Sequence, residues 1–239
     1  MYHSLIIDGK NTYDDFGLIP TSRPIINPSS PRYSYIEVPG MSGVLDVSDS
    51  LTGKMSYENR TGSIEFLVQN KKKWSDVYSE LLAFMQGRFM RIVLEDDPLY
   101  YYEGRLHISS WKSNKNNSTI TIDYDLSPFK YETKNAVNGY LISERNLSGN
   151  VYYYADESTK VLEMIAECEN ITGSGIKAYI DGSSYQCHEG INLLPTLQCD
   201  GSGSIRLNGT GKITVKYRKG RLLSLIHISE PTRQAEISY

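Results

Sequence analysis

The sequence predicts a mainly β protein of two modules, with one helix and one extended arm in the first module. Long stretches alternate apolar and polar residues with a period of two, which is typical of half-buried strands. One segment instead repeats apolar residues at three- and four-residue steps, which indicates a helix. The 239 residues are enough for two modules of roughly 100 to 130 residues, each able to bury its own core.

The clearest strands lie in the first module. In Thr119–Leu126 apolar side chains alternate with Thr and Asp, so that one face is buried and the other meets water. Ser63–Asn70 shows the same alternation, and Phe89–Leu94 is a further apolar strand. Arg105–Trp111 precedes Thr119–Leu126 across a polar segment rich in Asn and Lys, which predicts an antiparallel hairpin with a loop longer than a tight turn.

A single helix is predicted at about residues 70–87, in a β-sandwich-like first module. Its apolar positions share one face: Trp74, Val77, Tyr78, Leu81, Leu82 and Met85. Gly87 supplies the left-handed residue that commonly ends such a helix. The start is expected between Asn70 and Ser75, because three consecutive lysines would oppose the helix dipole in a first turn.

Beyond residue 132 the sequence changes to short β-rich segments separated by Gly, Ser and Asn. Strands are expected at Val161–Glu169, Ile176–Ile180, Ser204–Leu207 and Lys212–Tyr217. Turn signals fall between them at Gly173, Asp181-Gly182, Asp200-Gly201 and Asn208-Gly209. This spacing predicts a small β-sandwich over residues 133–222, after a first module over residues 1–132.

Residues 38–60 combine glycines and serines with isolated apolar residues. Glycines at 40, 43 and 53 are too dispersed for one anion-binding turn before a helix. The apolar residues are Met41, Val44, Leu45 and Leu51. Each needs a shallow pocket on some other surface while the backbone needs turns, so we interpret the segment as an arm that neighbouring molecules order.

The last residues, 223–239, do not look like part of a protein. Leu223–Arg233 resembles, residue for residue, the translation of a transposase-type sequencing adapter. Gln234–Tyr239 looks like index and flow-cell sequence that continues in the same frame. We therefore treat residues 223–239 as a non-native tail and exclude them from reasoning about the fold.

Composition excludes several classes of partner. The net charge of −3 is spread without long runs of one sign, whereas a protein that binds a phosphate backbone normally shows a basic stripe. No run approaches the ~18 apolar residues of a membrane span, and the first residues lack the pattern of a signal peptide. Neither nucleic acid nor a membrane is therefore an expected partner.

The residue types that carry chemistry do not form a site. Cys168, Cys187 and Cys199 lack the paired spacing of zinc ligands or of a disulfide scaffold, and are expected as buried free thiols from cytoplasmic synthesis. The neighbours Asp14-Asp15 and Asp96-Asp97 do not by themselves give the 5 to 10 Å separation across a cleft that a glycosidase needs. We therefore expect no catalytic residue, no cofactor and no metal.

Tyrosine is unusually common, with 19 Tyr against five Phe and two Trp. It clusters at Tyr100–Tyr102 and Tyr152–Tyr154. Tyrosine suits half-buried strands and protein interfaces, which we favour, but a flat ring with a hydroxyl also suits sugar stacking. Exposure of Tyr152–Tyr154 on one face of a groove would favour the sugar.

As an ordered set, several short motifs in residues 1–132 resemble the distal tail protein (Dit) family of siphophages. They are Asp14-Asp15-Phe16-Gly17-Leu18, Val38-Pro39-Gly40, Gly43, Asp46, Gly53, Tyr57-Glu58-Asn59-Arg60, Trp74, Asp97-Pro98, Tyr101-Tyr102-Glu103-Gly104-Arg105, Trp111 and Pro128-Phe129-Lys130-Tyr131. By size and strand texture, residues 140–221 are similar to the galectin-like sandwich that follows in this family. Met41-Ser42 departs from the arginine and aspartate that the family often has there.

The resemblance implies a structural hub at the tip of a virion tail. It implies a homo-hexameric ring between the tail tube protein and the tail-tip hub or fibre protein (the tail-associated lysin), with the tape-measure protein as a further partner. It also implies synthesis in the cytoplasm of a bacterial host. A carbohydrate-binding adhesin that contacts the host surface is the alternative, and a tail-associated hydrolase would need a converging catalytic pair.

Overall fold

The computed structural model describes residues 3–50, 53–69, 73–114, 117–133, 139–199 and 201–222. Over these ranges the protein is mainly β, as predicted, with a helix α1 at Trp74–Met85. The strands are β1 (Leu5–Ile7), β2 (Lys10–Asn11), β3 (Leu18–Pro20), β4 (Tyr35–Ile36), β5 (Leu45–Asp46), β6 (Arg60–Val68), β7 (Phe89–Leu94), β8 (Tyr100–Ser113), β9 (Ser118–Leu126), β10 (Lys130–Glu132), β11 (Leu141–Ala155), β12 (Thr159–Ile180), β13 (Ser183–Cys187), β14 (Gly190–Leu193), β15 (Leu197–Gln198) and β16 (Gly203–Arg221). Leu51, residues 70–72 of the expected helix start, and the proposed tail at 223–239 lie outside the described residues.

The first part of the chain forms an antiparallel ladder in the order β3, β6, β9, β8, β7, β1, β2. Ile7 on β1 and Phe66 on β6 line the same small cavity, so the ladder curls over its own core. The predicted hairpin of β8 and β9 is confirmed, and β7 has the predicted bounds. β6 begins at Arg60, earlier than predicted, because its pairing with β9 already starts there.

Helix α1 packs on this ladder through one face. Val77, Leu81 and Met85, spaced four residues apart, are buried and contribute to the same core as Phe66 and Leu106. Burying side chains of this size stabilises the fold by roughly 1.5 to 3 kcal/mol each. Gly87 has φ +71°, which confirms the predicted end of the helix.

The second part is built on three long strands, with β16 paired to β11 on one side and to β12 on the other. β13, β14 and β15 add to β12. The apolar residues of these strands bury a second core that includes Leu162, Ile205, Leu207 and Val215. The hairpin turn predicted at Asp181-Gly182 is confirmed, with positive φ at both residues.

Two of the predicted turns are wrong. Gly173 and Asn208-Gly209 lie inside the continuous strands β12 and β16 instead of ending them. Two register shifts between Glu169 and Lys177 bend β12 in the manner of β-bulges. A Cβ added to Gly209 would lie 2.2 Å from the carbonyl oxygen of Gly175. Gly209 therefore permits a close approach of β16 to β12 that a side chain would block, and the chain does not reverse there.

Strand β10 joins the two parts, because it pairs with β8 on one edge and with β16 on the other. A small third cluster of Tyr101, Tyr131 and Val161 is buried at this junction. The rings of Tyr101 and Tyr131 stack with centroids 5.6 Å apart. The chain thus holds a first core before β10, a second core after it and a tyrosine-lined joint between them.

Candidate functional site

The predicted arm is a narrow hairpin outside both cores. β4 and β5 pair only with each other over the described residues, through Tyr35 with Asp46 and Ile36 with Leu45. The pairing continues irregularly towards the base, where Pro31 bridges Tyr57. The hairpin therefore begins before residue 38, earlier than the sequence predicts. We call residues 31–57 the arm.

Polar contacts fix the backbone of the arm. The Ser48 hydroxyl accepts a hydrogen bond from the backbone N–H of Ser34 at 2.9 Å and donates one to the Asp46 carboxylate at 2.5 Å. Bonds from the hydroxyl and the backbone N–H of Ser48 lower the pKa of Asp46. Gly40 and Gly43 at the tip have φ of +84° and +87°, a conformation that only glycine adopts readily.

Seven apolar side chains in the described part of the arm are exposed to solvent. They are between 40% and 57% exposed: Tyr33, Tyr35, Ile36, Val38, Met41, Val44 and Leu45. The Tyr33 and Tyr35 rings stack with centroids 6.1 Å apart. Single exposed apolar residues are ordinary on a protein surface, but a contiguous group marks an interaction site. The arm is therefore the candidate functional site of the described residues.

The base of the arm packs on the rest of the chain. The Lys54 ammonium donates to the carbonyl oxygen of Gln198 at 2.8 Å and contacts the Asp181 carboxylate at 3.0 Å. The Tyr57 ring meets Phe129 edge-on, with centroids 6.2 Å apart. Residues 54–57 at the base of the arm are therefore positioned by contacts within the chain itself, with Gln198 and Asp181 of the second part and with Phe129 just before β10. The ordering of the exposed tip by neighbouring molecules stays a prediction.

Partly buried ion pairs of Arg218 fix the joint from which the arm projects. The Arg218 guanidinium contacts Glu103 on β8 at 2.7 Å and Glu163 on β12 at 2.6 Å, and lies 4.1 Å from the Tyr131 ring centroid. Burial opposes the charge of Arg218, but Tyr131, Glu163 and Glu103 outweigh it and raise the pKa. Arg218 thus links the first core to the second.

A fully buried ion pair lies at the same joint. The Lys130 ammonium is 2.6 Å from the Asp97 carboxylate, with side chains only 1% and 7% exposed. The ammonium also lies 4.0 Å from the centroid of the Tyr100 ring. Burial lowers the pKa of Lys130, and the Asp97 carboxylate opposes that shift. Sequence reasoning weighed Asp97 only beside its neighbour Asp96, and it missed this pair because its partners are 33 residues apart.

The cysteines and aspartates that the sequence analysis considered do not come together in one site. Cys168, Cys187 and Cys199 are buried free thiols, as predicted, and contact with the Cys187 thiol together with burial raises the pKa of Cys168. Asp15 bonds the backbone of Asn11, while Asp96 contacts His3 and Arg23. In the described ranges, no group of three or more His, Cys, Asp or Glu residues is placed to hold a metal ion.

The two tyrosine clusters behave differently. Tyr100, Tyr101 and Tyr102 are all buried, which agrees with the structural interpretation. In the second cluster Tyr153 is buried, whereas Tyr152 and Tyr154 are 44% and 64% exposed. Their rings stack with centroids 5.9 Å apart. Two rings of this second cluster therefore lie on the surface and do not contribute to a core.

Comparison with known proteins gives the fold an identity. Among solved structures, the chain is similar to the SPP1 Dit (gp 19.1) protein, with a TM-score of 0.57 over 93% of this chain and 100% of that one. The chain has the Dit fold. The sequence identity is 14%, so the resemblance found in the short motifs is confirmed at the level of the fold.

That structure is described as a paradigm of the hub adsorption apparatus in phages that infect Gram-positive bacteria. No protein-family model matches the chain, and no curated protein matches it significantly. No helix in the described ranges has the length and apolarity needed to cross a membrane. The assignment of the Dit fold therefore rests on the similarity of the structures and on the ordered motifs.

Proposed function

We propose that this chain is a structural subunit of the hub at the distal end of a phage tail. Residues 1–132 form the ring-building domain, and residues 133–222 form a galectin-like sandwich. Six copies close into a ring that joins the tail tube protein to the tail-tip hub or fibre protein, near the tape-measure protein. The subunit is synthesised in the bacterial cytoplasm, acts in the virion and carries no catalytic residue, metal or cofactor.

The exposed apolar arm is the observation that carries this proposal. Seven apolar side chains between Tyr33 and Leu45 face water, while bonds at Lys54 hold the base against the chain's own second part. Covering a surface of this kind with another molecule removes apolar area from water and so favours association. In a ring, every copy offers its arm to the same patch on the next copy, and closure leaves no free end.

Self-association of the purified chain tests the role of the arm. Ile36 and Leu45 face each other across the hairpin and are about half exposed, so changing both to Ser alters the surface without opening a core. Covering the exposed half of each side chain is worth roughly 1 kcal/mol. Sedimentation across a concentration series should show self-association of the I36S/L45S variant weakened by roughly 30-fold.

The matched control changes Ile142 and Leu193 to Ser, because both are exposed apolar residues of the second part. This control should associate like the unchanged chain. If both variants associate equally well, the arm is not the contact. A chain that stays monomeric alone, and also when mixed with the tail tube and tail-tip proteins, would contradict the hub assignment itself.

A further inference from the structure

One outward sheet face of the second part has an unusual composition. Residues that face each other across β11, β16 and β12 form two rows, Tyr152 with Arg206 and Tyr179, and Asn150 with Asn208 and Lys177. Tyr154 lies one strand step beyond Tyr152 on the same side. We call Tyr152, Tyr154, Lys177, Tyr179, Arg206 and Asn208 the tyrosine face.

The opposite side of the same strands fixes this face in place. Tyr153, Ala178, Ile205 and Leu207 alternate with the tyrosine-face residues and are buried in the second core. Because side chains of a strand alternate between the two faces of a sheet, the tyrosine face cannot turn inward without exposing that core. Its side chains are therefore presented on a rigid support.

The tyrosine face is ordered by contacts within itself. The rings of Tyr152 and Tyr154 are nearly parallel, at 14°. The Arg206 guanidinium lies 3.9 Å from the centroid of the Tyr179 ring, which holds it in a preferred cation–π position. The Asn208 amide donates to the Asn150 side-chain oxygen at 2.8 Å. Flat rings, amides and a pre-positioned guanidinium thus lie side by side.

The charge of this face is opposite to that of the whole protein. Lys177 and Arg206 are cationic. No Asp or Glu occupies the outward positions of the strand segments that form or flank this face, which are 150–154 of β11, 177–179 of β12, 184–186 of β13 and 204–208 of β16. The chain as a whole has a net charge of −3. A local cationic surface on an acidic protein favours an anionic ligand.

We propose that the tyrosine face binds a saccharide chain that carries carboxylate or phosphate groups. Tyrosine rings offer flat, amphipathic contact area at low entropic cost to the apolar faces of sugar rings. Arg206 recognises an anionic group through paired charge-assisted hydrogen bonds, and Lys177 adds a second charge. Nucleic acid would need a longer basic stripe. Tyr and Arg are also common at protein interfaces, so a protein contact is the competing occupant that the experiment separates from a saccharide. This binding role is separate from the ring.

Calorimetric titration of the full chain tests the proposal with an oligogalacturonate as the probe. We expect saturable binding, at least tenfold weaker binding of a neutral maltooligosaccharide of equal length, and no comparable binding of polyglutamate, which has charge but no sugar rings. The Y152A/Y154A variant should bind oligogalacturonate at least tenfold more weakly. R206Q should bind it only about as well as the neutral sugar.

The arm supplies a matched control, because Tyr33 and Tyr35 also form an exposed stacked pair. The Y33A/Y35A variant should bind the probe like the unchanged chain, and all variants should keep the same thermal midpoint. Absence of binding, binding that the face variants leave unchanged, or equal binding of polyglutamate would overturn the proposal. Loss of self-association in Y152A/Y154A without any sugar binding would instead identify a protein contact. None of these outcomes depends on the result of the arm experiment.

Discussion

Replacing Lys130 with methionine tests how the two cores are held together. The ammonium is 2.6 Å from the Asp97 carboxylate, and its side chain is 1% exposed. Methionine fills a similar volume but leaves the buried carboxylate without its cation. Breaking a buried pair by removing one partner costs about 3 to 5 kcal/mol. For a protein of this size, that lowers the melting temperature by roughly 10 °C.

Urea unfolding monitored by tryptophan fluorescence and far-UV circular dichroism measures this loss. The exposed Lys112 gives the matched control, because K112M should stay within about 0.5 kcal/mol of the unchanged chain. The K130M/D97N double variant removes the stranded charge and should recover at least 1 kcal/mol relative to K130M. A loss below about 1 kcal/mol in K130M, or no recovery in the double variant, would refute the reasoning.

Three further predictions concern the joint and the tail. R218K should lower stability by about 2 kcal/mol, since a single ammonium cannot reproduce the fork that contacts Glu103 and Glu163, and a change under 0.5 kcal/mol would count against this role. Burial raises the pKa of Asp156. Hydrogen bonds from Ser158 and Thr159, together with the nearby charges of Arg221 and Lys219, outweigh burial and lower the pKa. The ionised Asp156 therefore stabilises the fold at pH values above the ordinary Asp pKa of about 4, and this stabilisation is lost as the pH falls below that value. The urea midpoints of D156N and the unchanged chain should then differ near neutral pH and converge in acid, and a gap that widens in acid would reverse the sign. Removing residues 223–239 should leave the melting temperature unchanged, whereas a drop of several degrees would make the tail part of the fold.

Local patterns predicted much of the fold, because they depend on neighbouring residues. The apolar run Phe89–Leu94 and the glycine at 87 are recognised within one strand or one helix turn, and both agree with the structure. The same local pattern predicted a turn at Asn208-Gly209. This prediction is wrong because nothing near these residues in the sequence reveals that β16 continues through them, paired with β11 on one side and β12 on the other.

The sequence predicted the arm as an interaction segment but did not predict the contacts that hold its base and the joint in place. The isolated apolar residues of the arm indicated an interaction segment without any tertiary information. Its anchoring through Lys54 joins residues far apart in sequence, with Asp181 127 positions away. Arg218 likewise depends on Glu103 and Glu163 from two other strands. Such contacts follow from strand pairing, which a single sequence does not encode locally.

Site-specific photo-crosslinking from the arm tests most directly whether the arm joins one copy to the next. A photoreactive phenylalanine analogue replaces Val44, half exposed near the arm tip, and in a control chain it replaces Leu193 on β14. We expect a ladder of covalent products up to six copies from position 44, with the links mapping to one patch on the neighbouring copy, and only background from position 193. Products confined to single chains, or equal yields from both positions, would contradict it.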